Sequence, residues 1–91
     1  VPSICFYSSE AQVIPFALKH LMLTADARYG NFASTHEAMG VALEEWDELK
    51  SAVHKNNLLQ VQMECLDLAA VVLRLANQLA EGGPIVKRSE K

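Results

Sequence analysis

The chain is poor in cysteine, positive charge, long apolar runs and glycine-rich loops, and each shortage removes a class of function. There are only two cysteines, Cys5 in a stretch without helical period and Cys65 within a helical one. They make neither a disulfide framework nor a metal knuckle; their spacing leaves a bridge between them open, and both are read as reduced thiols of a cytoplasmic protein. Eight Lys and Arg against eleven Asp and Glu give a net charge of −3, with the basic residues scattered apart from Lys87-Arg88 and Lys91. The basic footprint that a nucleic-acid polymer needs is therefore missing. The longest apolar stretch is interrupted by Glu64, Asp67 and Arg74, which argues against a membrane-spanning helix, and no basic-then-apolar leader opens the sequence. A phosphate-binding loop with its lysine and the Glu-x-x-His pairs of a di-iron bundle are absent. The zinc-protease motif also fails, because Gly40 stands where a second histidine should follow His36-Glu37, and the three histidines support no nucleophile-and-base constellation.

What is present is helical. Half of the residues are hydrophobic, which suits one domain over residues 1–91, yet a chain this short buries little surface alone, so oligomerisation is expected. Residues 1–8 read as an extended arm. Leu18, Leu21, Met22 and Ala25 recur at helical spacing and predict a first helix over about 15–29, with Gly30-Asn31 as its left-handed exit; an earlier start at Ser8 or Ser9 with a kink at Pro15 is the alternative. Ser34-Thr35-His36-Glu37 reads as a capping box, Glu37 reaching back to the Ser34 amide, and starts a second helix running to about Lys55. Asn57 and Gln60 repeat the signal for a third, which ends at Ala80 or Glu81 before Gly82-Gly83-Pro84. Residues 85–91 read as a mobile tail. The fold class is all-α.

The chemistry lies in two acidic pairs, Glu45/Glu48 and Glu64/Asp67, on either side of the turn Lys55-Asn56-Asn57. In an antiparallel hairpin centred on Asn56, Glu48 and Glu64 are each eight residues from the turn and Glu45 and Asp67 each eleven. All four then share one level, roughly 12–16 Å from the turn at 1.5 Å per residue. Around the second helix, Ala38, Val41, Ala42, Leu49, Ala52 and Val53 form an apolar stripe with Glu45 near its middle and Glu48 at its margin, while Glu44 and Asp47 fall outside. An acid in a core-facing stripe is costly unless paired or metal-bound. Four carboxylates at one level repel unless a cation neutralises them, and oxygen-only ligands select a hard ion, Mg²⁺ or Mn²⁺. The third helix is apolar around roughly two-thirds of its circumference, leaving a narrow strip of Gln60, Glu64, Asp67, Arg74 and Gln78 among Met63 and Val71. So wide an arc predicts contacts with both other helices and a second subunit, two hairpins forming a four-helix core as a homodimer or a dimer of dimers.

The order Glu45-x-x-Glu48, fifteen intervening residues, then Glu64-x-x-Asp67 resembles the signature of the MazG-like all-α nucleoside triphosphate pyrophosphohydrolases, whose relatives include dimeric dUTPases and dCTP pyrophosphatases. The likeness spans about Thr35 to Asn77 and includes His36-Glu37-Ala38 and the run Val41-Ala42-Leu43-Glu44-Glu45. It implies that the four acids bind Mg²⁺ on facing helices and that water cleaves a triphosphate between the α- and β-phosphorus, releasing a monophosphate and pyrophosphate. Glu45 and Glu48 are the catalytic candidates, one of them taking the water's proton. The Cys-Pro-Trp-Asp element of longer MazG proteins is replaced here by Asn31-Phe32-Ala33-Ser34, so the resemblance does not name the base.

Tyr29, Phe32 and His36 cluster ahead of the second helix and are candidates, with the partner chain, for the base pocket; core closure by the aromatics and a plain surface histidine are the alternatives. Trp46 is a candidate for stacking on a base, against packing on a helix. Arg74 either reaches a triphosphate or pairs with Asp67 or Glu81. Lys50, His54 and Lys55 flank the hairpin as possible phosphate neutralisers or ordinary helix-end cations. The functional expectation is a hydrolase acting on non-standard or deoxynucleoside triphosphates. The alternative is a catalytically silent dimeric helical module that binds a nucleotide or a protein.

Overall fold

The computed structural model describes residues 13–83 and Ile85. The arm expected over residues 1–8 with Cys5, an early start of the first helix, Pro84 and the tail beyond Ile85 lie outside the described residues. Three helices make up the fold: α1 (Val13–Tyr29), α2 (Thr35–His54) and α3 (Leu58–Ala80), with no strand among the described residues. None of these helices is long and apolar enough to cross a membrane.

The sequence sets the ends of the elements through local hydrogen bonding. Ser34 Oγ accepts from the Glu37 amide at 3.0 Å, as a capping box requires. The return bond differs from expectation: Glu37 Oε1 accepts from the Ala33 amide at 2.6 Å, one residue ahead of the N-cap, so the box also fixes the approach to the helix. Asn57 caps α3 in the same manner through the Gln60 amide, at 3.2 Å. Between α2 and α3 the chain reverses at Asn56, whose φ of 56° is left-handed. Asparagine tolerates that conformation better than most residues. The Asn56 and Asn57 amides close back on the Val53 and Ala52 carbonyls, satisfying the end of α2.

The third helix is the centre of the molecule. It packs along α2 as an antiparallel hairpin and against α1, whereas the backbones of α1 and α2 do not meet. The buried apolar core is small: Phe32, Ala38 and Val71, with Val41, Ala42 and Leu75 packed around it. Ala52 and Ala70 are also buried and let the two long helices approach closely. The α2 stripe read from the sequence faces α3 except at Val53, which is half exposed, and the α1 positions Leu18, Leu21, Met22 and Ala25 are, with Ala17, that helix's partly covered ones.

The face that α3 buries is its polar strip. Glu64, Arg74 and Gln78 are buried polar residues of this helix, and Val71 joins them on the same face. Two of these side chains hold the α1–α2 connection. The Gln78 amide accepts from the Phe32 N–H and donates to the Phe32 carbonyl, both at 2.8 Å. Arg74 donates to Asp26 Oδ1 and to the Gly30 carbonyl, each at 2.7 Å, and its guanidinium lies 4.6 Å from the centre of the Phe32 ring. Gly83 then passes so close to Gln78 that an added Cβ would sit 2.9 Å from Gln78 Cγ and 3.2 Å from Asn31 Nδ2.

Replacing Gln78 by Met keeps the side chain's length but strands a buried donor and a buried acceptor of Phe32. We expect a loss of about 2–4 kcal/mol of unfolding free energy, since each orphaned group costs roughly 1–3 kcal/mol. The same change at exposed Gln62 should cost almost nothing. Chemical denaturation midpoints of the two variants check this.

Candidate metal and nucleotide site

Antiparallel pairing of α2 and α3 brings the acids together at one level. Carboxylate oxygens of Glu45, Glu48 and Glu64 lie within 4.8 Å of one another. Asp67 stands at the edge of this triad, beside Glu64 and within electrostatic reach of Glu45 and Glu48. Glu64 is buried, Glu45 and Asp67 are half-buried, and Glu48 is exposed. One oxygen each of Glu45 and Glu64, the Oε1 atoms, is buried without a hydrogen-bond partner. The other oxygen of Glu64 accepts from Gln60 Nε2, which fixes the carboxylate's orientation from one turn earlier.

The electrostatics follow from this crowding. Burial, and then the charges of Glu48, Asp67, Glu64 and Glu44, push the Glu45 carboxyl up from 4.5 to about 7. The charge of Glu64 is the main cause raising Glu48, and burial followed by Glu64 raises Asp67. No Lys or Arg is ion-paired with the four acids among the described residues, where the ion pairs are Lys50–Asp47 and Arg74–Asp26. A set of hard oxygen donors, two of them buried and unpartnered, with an orienting amide behind one, fits Mg²⁺ or Mn²⁺.

Beside the acids, a cavity of about 440 Å³ opens between the α1–α2 connection, α2 and α3. Tyr29, Phe32, Glu45, Asp67, Val71 and Arg74 are among its walls. Of the pocket candidates, Tyr29, Phe32 and Arg74 thus share one cavity with two of the acids, whereas His36 and Trp46 do not line it. Phe32 is both a core residue and a wall, so core closure and pocket lining coincide. Trp46 lies in a separate shallow groove with Leu49, Val53, Val61 and Cys65, on the side of the hairpin away from the acids. Cys65 is a free thiol exposed there. Arg74 pairs with Asp26 rather than with Asp67 or Glu81.

Sequence reasoning placed Glu44 outside the functional face, but it stands on the cavity rim and its charge helps raise Glu45. Glu37, assigned a capping role, lines the same rim. Gln60 and Gln78 were legible as polar positions on an otherwise apolar helix, though their partners were not. Asp26 carried no local signal, because its partner Arg74 is 48 residues away. Comparison with protein families, curated proteins and solved structures returns no match.

The raised carboxyl of Glu45 gives a pH signature. The folded chain holds a proton on Glu45 that the unfolded chain releases, so this contribution to stability is complete below about 4.5 and is lost as pH rises through about 7. Glu48 and Asp67 act in the same direction. In chelator, the melting temperature should fall across that window, and Glu45→Gln should flatten the slope. Magnesium should reverse the trend, because it binds the deprotonated acids. Scanning calorimetry at stepped pH tests this, and a melting temperature in chelator that rises with pH across the window would overturn it.

Proposed function

We propose that the protein is a Mg²⁺-dependent nucleoside triphosphate pyrophosphohydrolase of MazG-like type, acting on non-standard or deoxynucleotides as a homodimer. The observation that carries the reading is the oxygen cluster of Glu45, Glu48 and Glu64 with its two buried, unpartnered oxygens. Solvated surface acids splay apart and hydrogen-bond to water; these converge and leave oxygens dry, an arrangement that is costly without a cation. The resemblance in the order of the four acids points the same way, and the adjoining cavity is of a size for a base and sugar.

In this reading Glu45, Glu48, Glu64 and Asp67 hold the metal, and Gln60 keeps Glu64 aimed at it. Bound Mg²⁺ supplies charge neutralisation at the phosphates and a more acidic water. Glu45 or exposed Glu48 would take the proton from the attacking water. The water oxygen bonds to the α-phosphorus, the bond from that phosphorus to the α,β-bridging oxygen breaks, and pyrophosphate leaves with the bonding pair. Phe32 and Tyr29 offer ring surface to the base from the connection that Arg74 and Gln78 hold in place.

The homodimer rests on the outer face of α3. Leu58, Leu59, Met63, Val72, Leu73 and Leu79 are largely exposed, and every charged residue of this helix lies on the opposite, inward side. An uncharged face running the length of a 23-residue helix suits a two-fold contact with its own copy. Leu73→Glu should convert a sedimenting dimer into monomer; a wild-type chain that sediments as monomer at micromolar concentration would remove this part of the proposal.

Activity is tested by pyrophosphate release from a panel of triphosphates with Mg²⁺. Glu45→Gln, Glu48→Gln, Glu64→Gln and Asp67→Asn should each lower kcat/KM by about a hundredfold or more, the upper end of what even outer-shell changes at metal sites cost. Asp47→Asn, which removes an equal charge from a residue paired with Lys50, should change little. Equal effects of all five substitutions, or no release from any triphosphate, would reject the enzyme.

A further inference from the structure

The hydrogen-bonding groups around the cavity beside the acids are unevenly occupied, and the ones left over discriminate between bases. On the α1–α2 connection the Gly30 N–H donates to the Asp26 carbonyl at 2.9 Å, the Phe32 N–H to Gln78 and the Ala33 N–H to Glu37. The Arg74 guanidinium is taken up by Asp26, the Gly30 carbonyl and the Phe32 ring. Among the described residues, the Glu44 carboxylate, the second oxygen of Glu37 and the side-chain amide of Asn31 line this cavity without a bonded partner. Acceptors therefore dominate the free groups, and Asn31 adds an uncommitted amide donor.

We propose that Glu37 reads the base in this cavity and that the base is guanine. This inference rests on the nucleotide reading of the acid cluster and adds a base to it. Position selects Glu37 over Glu44. Glu44 adjoins Glu45 in the sequence and so stands at the level of the metal and the phosphates, whereas Glu37 lies eight residues earlier, roughly 12 Å along α2 at 1.5 Å per residue. An extended nucleoside covers such a span from its 5′-phosphate to the far edge of its base. The carboxylate is also held in place: Glu37 Oε1 accepts from the Ala33 N–H at 2.6 Å while Ser34 Oγ accepts from the Glu37 amide. A carboxylate has lone pairs to spare on both oxygens after one such bond. Its negative charge also repels a phosphate, which orients the nucleotide base-first toward this end.

The identity of the base follows from what a carboxylate can do. It accepts and never donates when ionised, and two parallel N–H donors match its two oxygens best. Guanine carries such a pair, the ring N1–H beside the 2-amino group. Cytosine and adenine set a ring acceptor next to their amino group, and thymine and uracil flank their single ring N–H with carbonyls, so each of these turns a lone pair toward a Glu37 oxygen. Guanine O6 lies on the same edge and needs a donor. The Asn31 side-chain amide supplies one from the connection, where the neighbouring backbone amides are already bonded. Glu37 thus has two roles from one geometry, since the contact that caps α2 also fixes the group that reads the base.

The test is calorimetric titration, in saturating Mg²⁺, of the non-hydrolysable α,β-imido triphosphates of deoxyguanosine, deoxyinosine, deoxyadenosine, deoxycytidine and thymidine into the full chain and its Glu37→Gln variant. Glu and Gln serve a capping box alike, so the substituted side chain still accepts from the Ala33 N–H and the fold is kept, which an unchanged melting temperature verifies. In the wild-type chain the guanine analogue should bind about tenfold or more tighter than the hypoxanthine analogue, which lacks only the 2-amino group, and than the thymine analogue. Glu37→Gln sets an amide donor against the donors of guanine and should erase that preference while thymine binding holds or tightens. A capping role alone would weaken every analogue alike. No binding of any analogue, equal binding of all, a guanine preference that survives Glu37→Gln, or a uniform loss across the bases would overturn the assignment. Equal binding together with pyrophosphate release from several triphosphates would remove the base and leave the enzyme standing. A Glu37-dependent guanine preference without release from dGTP would uphold the base and reject the enzyme.

Discussion

The mutual repulsion of Glu45, Glu48, Glu64 and Asp67 is the constraint that the rest of the structure answers. Burial and neighbouring charge raise the carboxyls of Glu45, Glu48 and Asp67, and Glu45 and Glu64 each leave one buried oxygen without a partner. A helix that carries two of the four would ordinarily turn them to solvent. Here α3 does the reverse, burying its polar strip against α1 and α2 and presenting leucines and valines outward. Burial of polar groups is tolerable only where each has a partner, and Gln78, Arg74 and Gln60 all find one. Among the described residues only the Oε1 atoms of Glu45 and Glu64 are buried without one, and that selective lack of partners is the physical content of the site.

Arg74 shows how the chain keeps the cluster unneutralised. It lies seven residues beyond Asp67, on the same strip, and a pair with that carboxylate would have quenched part of the repulsion. Its guanidinium is instead spent on Asp26, the Gly30 carbonyl and the Phe32 ring. One consequence is mechanical: the α1–α2 connection is fixed to α3 from two successive turns, by Arg74 and by Gln78, so the cavity wall is anchored to the helix that contacts both others. The other is electrostatic, since no Lys or Arg among the described residues is ion-paired with the acids.

The elements were legible because their signals are local. Capping at Ser34 and Asn57, the Asn56 reversal and the helical period of α1 each depend on residues within one turn. The level of the acids was legible for a related reason, in that a hairpin maps sequence distance from the turn onto height. Three of the four converge as that counting requires. What the sequence could not show was direction across the fold. Periodicity divides α3 into an apolar arc and a polar strip but does not say which one faces its neighbours. The Asp26–Arg74 pair, the Gln78 clamp on Phe32 and the place of Glu44 on the rim are long-range matters of the same kind. The large apolar ring of Trp46 is compatible with packing or with stacking on a base, and its type alone does not say that it lines a groove apart from the cavity at the acids.

The two unusual faces of α3 have compatible demands. In the proposed homodimeric hydrolase the acids would need an open groove for substrate and cation, while the outer arc from Leu58 to Leu79, largely exposed in the single chain, would need cover. Because the strip and the arc are on opposite sides of one helix, a second copy seated on the arc leaves the groove accessible. Apolar burial at such an interface would also supply stability beyond that of the small internal core of Phe32, Ala38 and Val71. The stabilising surface and the destabilising one are thus carried by the same element. In the proposed dimer, stress from crowding the acids would be resisted by packing on the far side of the helix, and the two faces can be perturbed separately by substitution on either one.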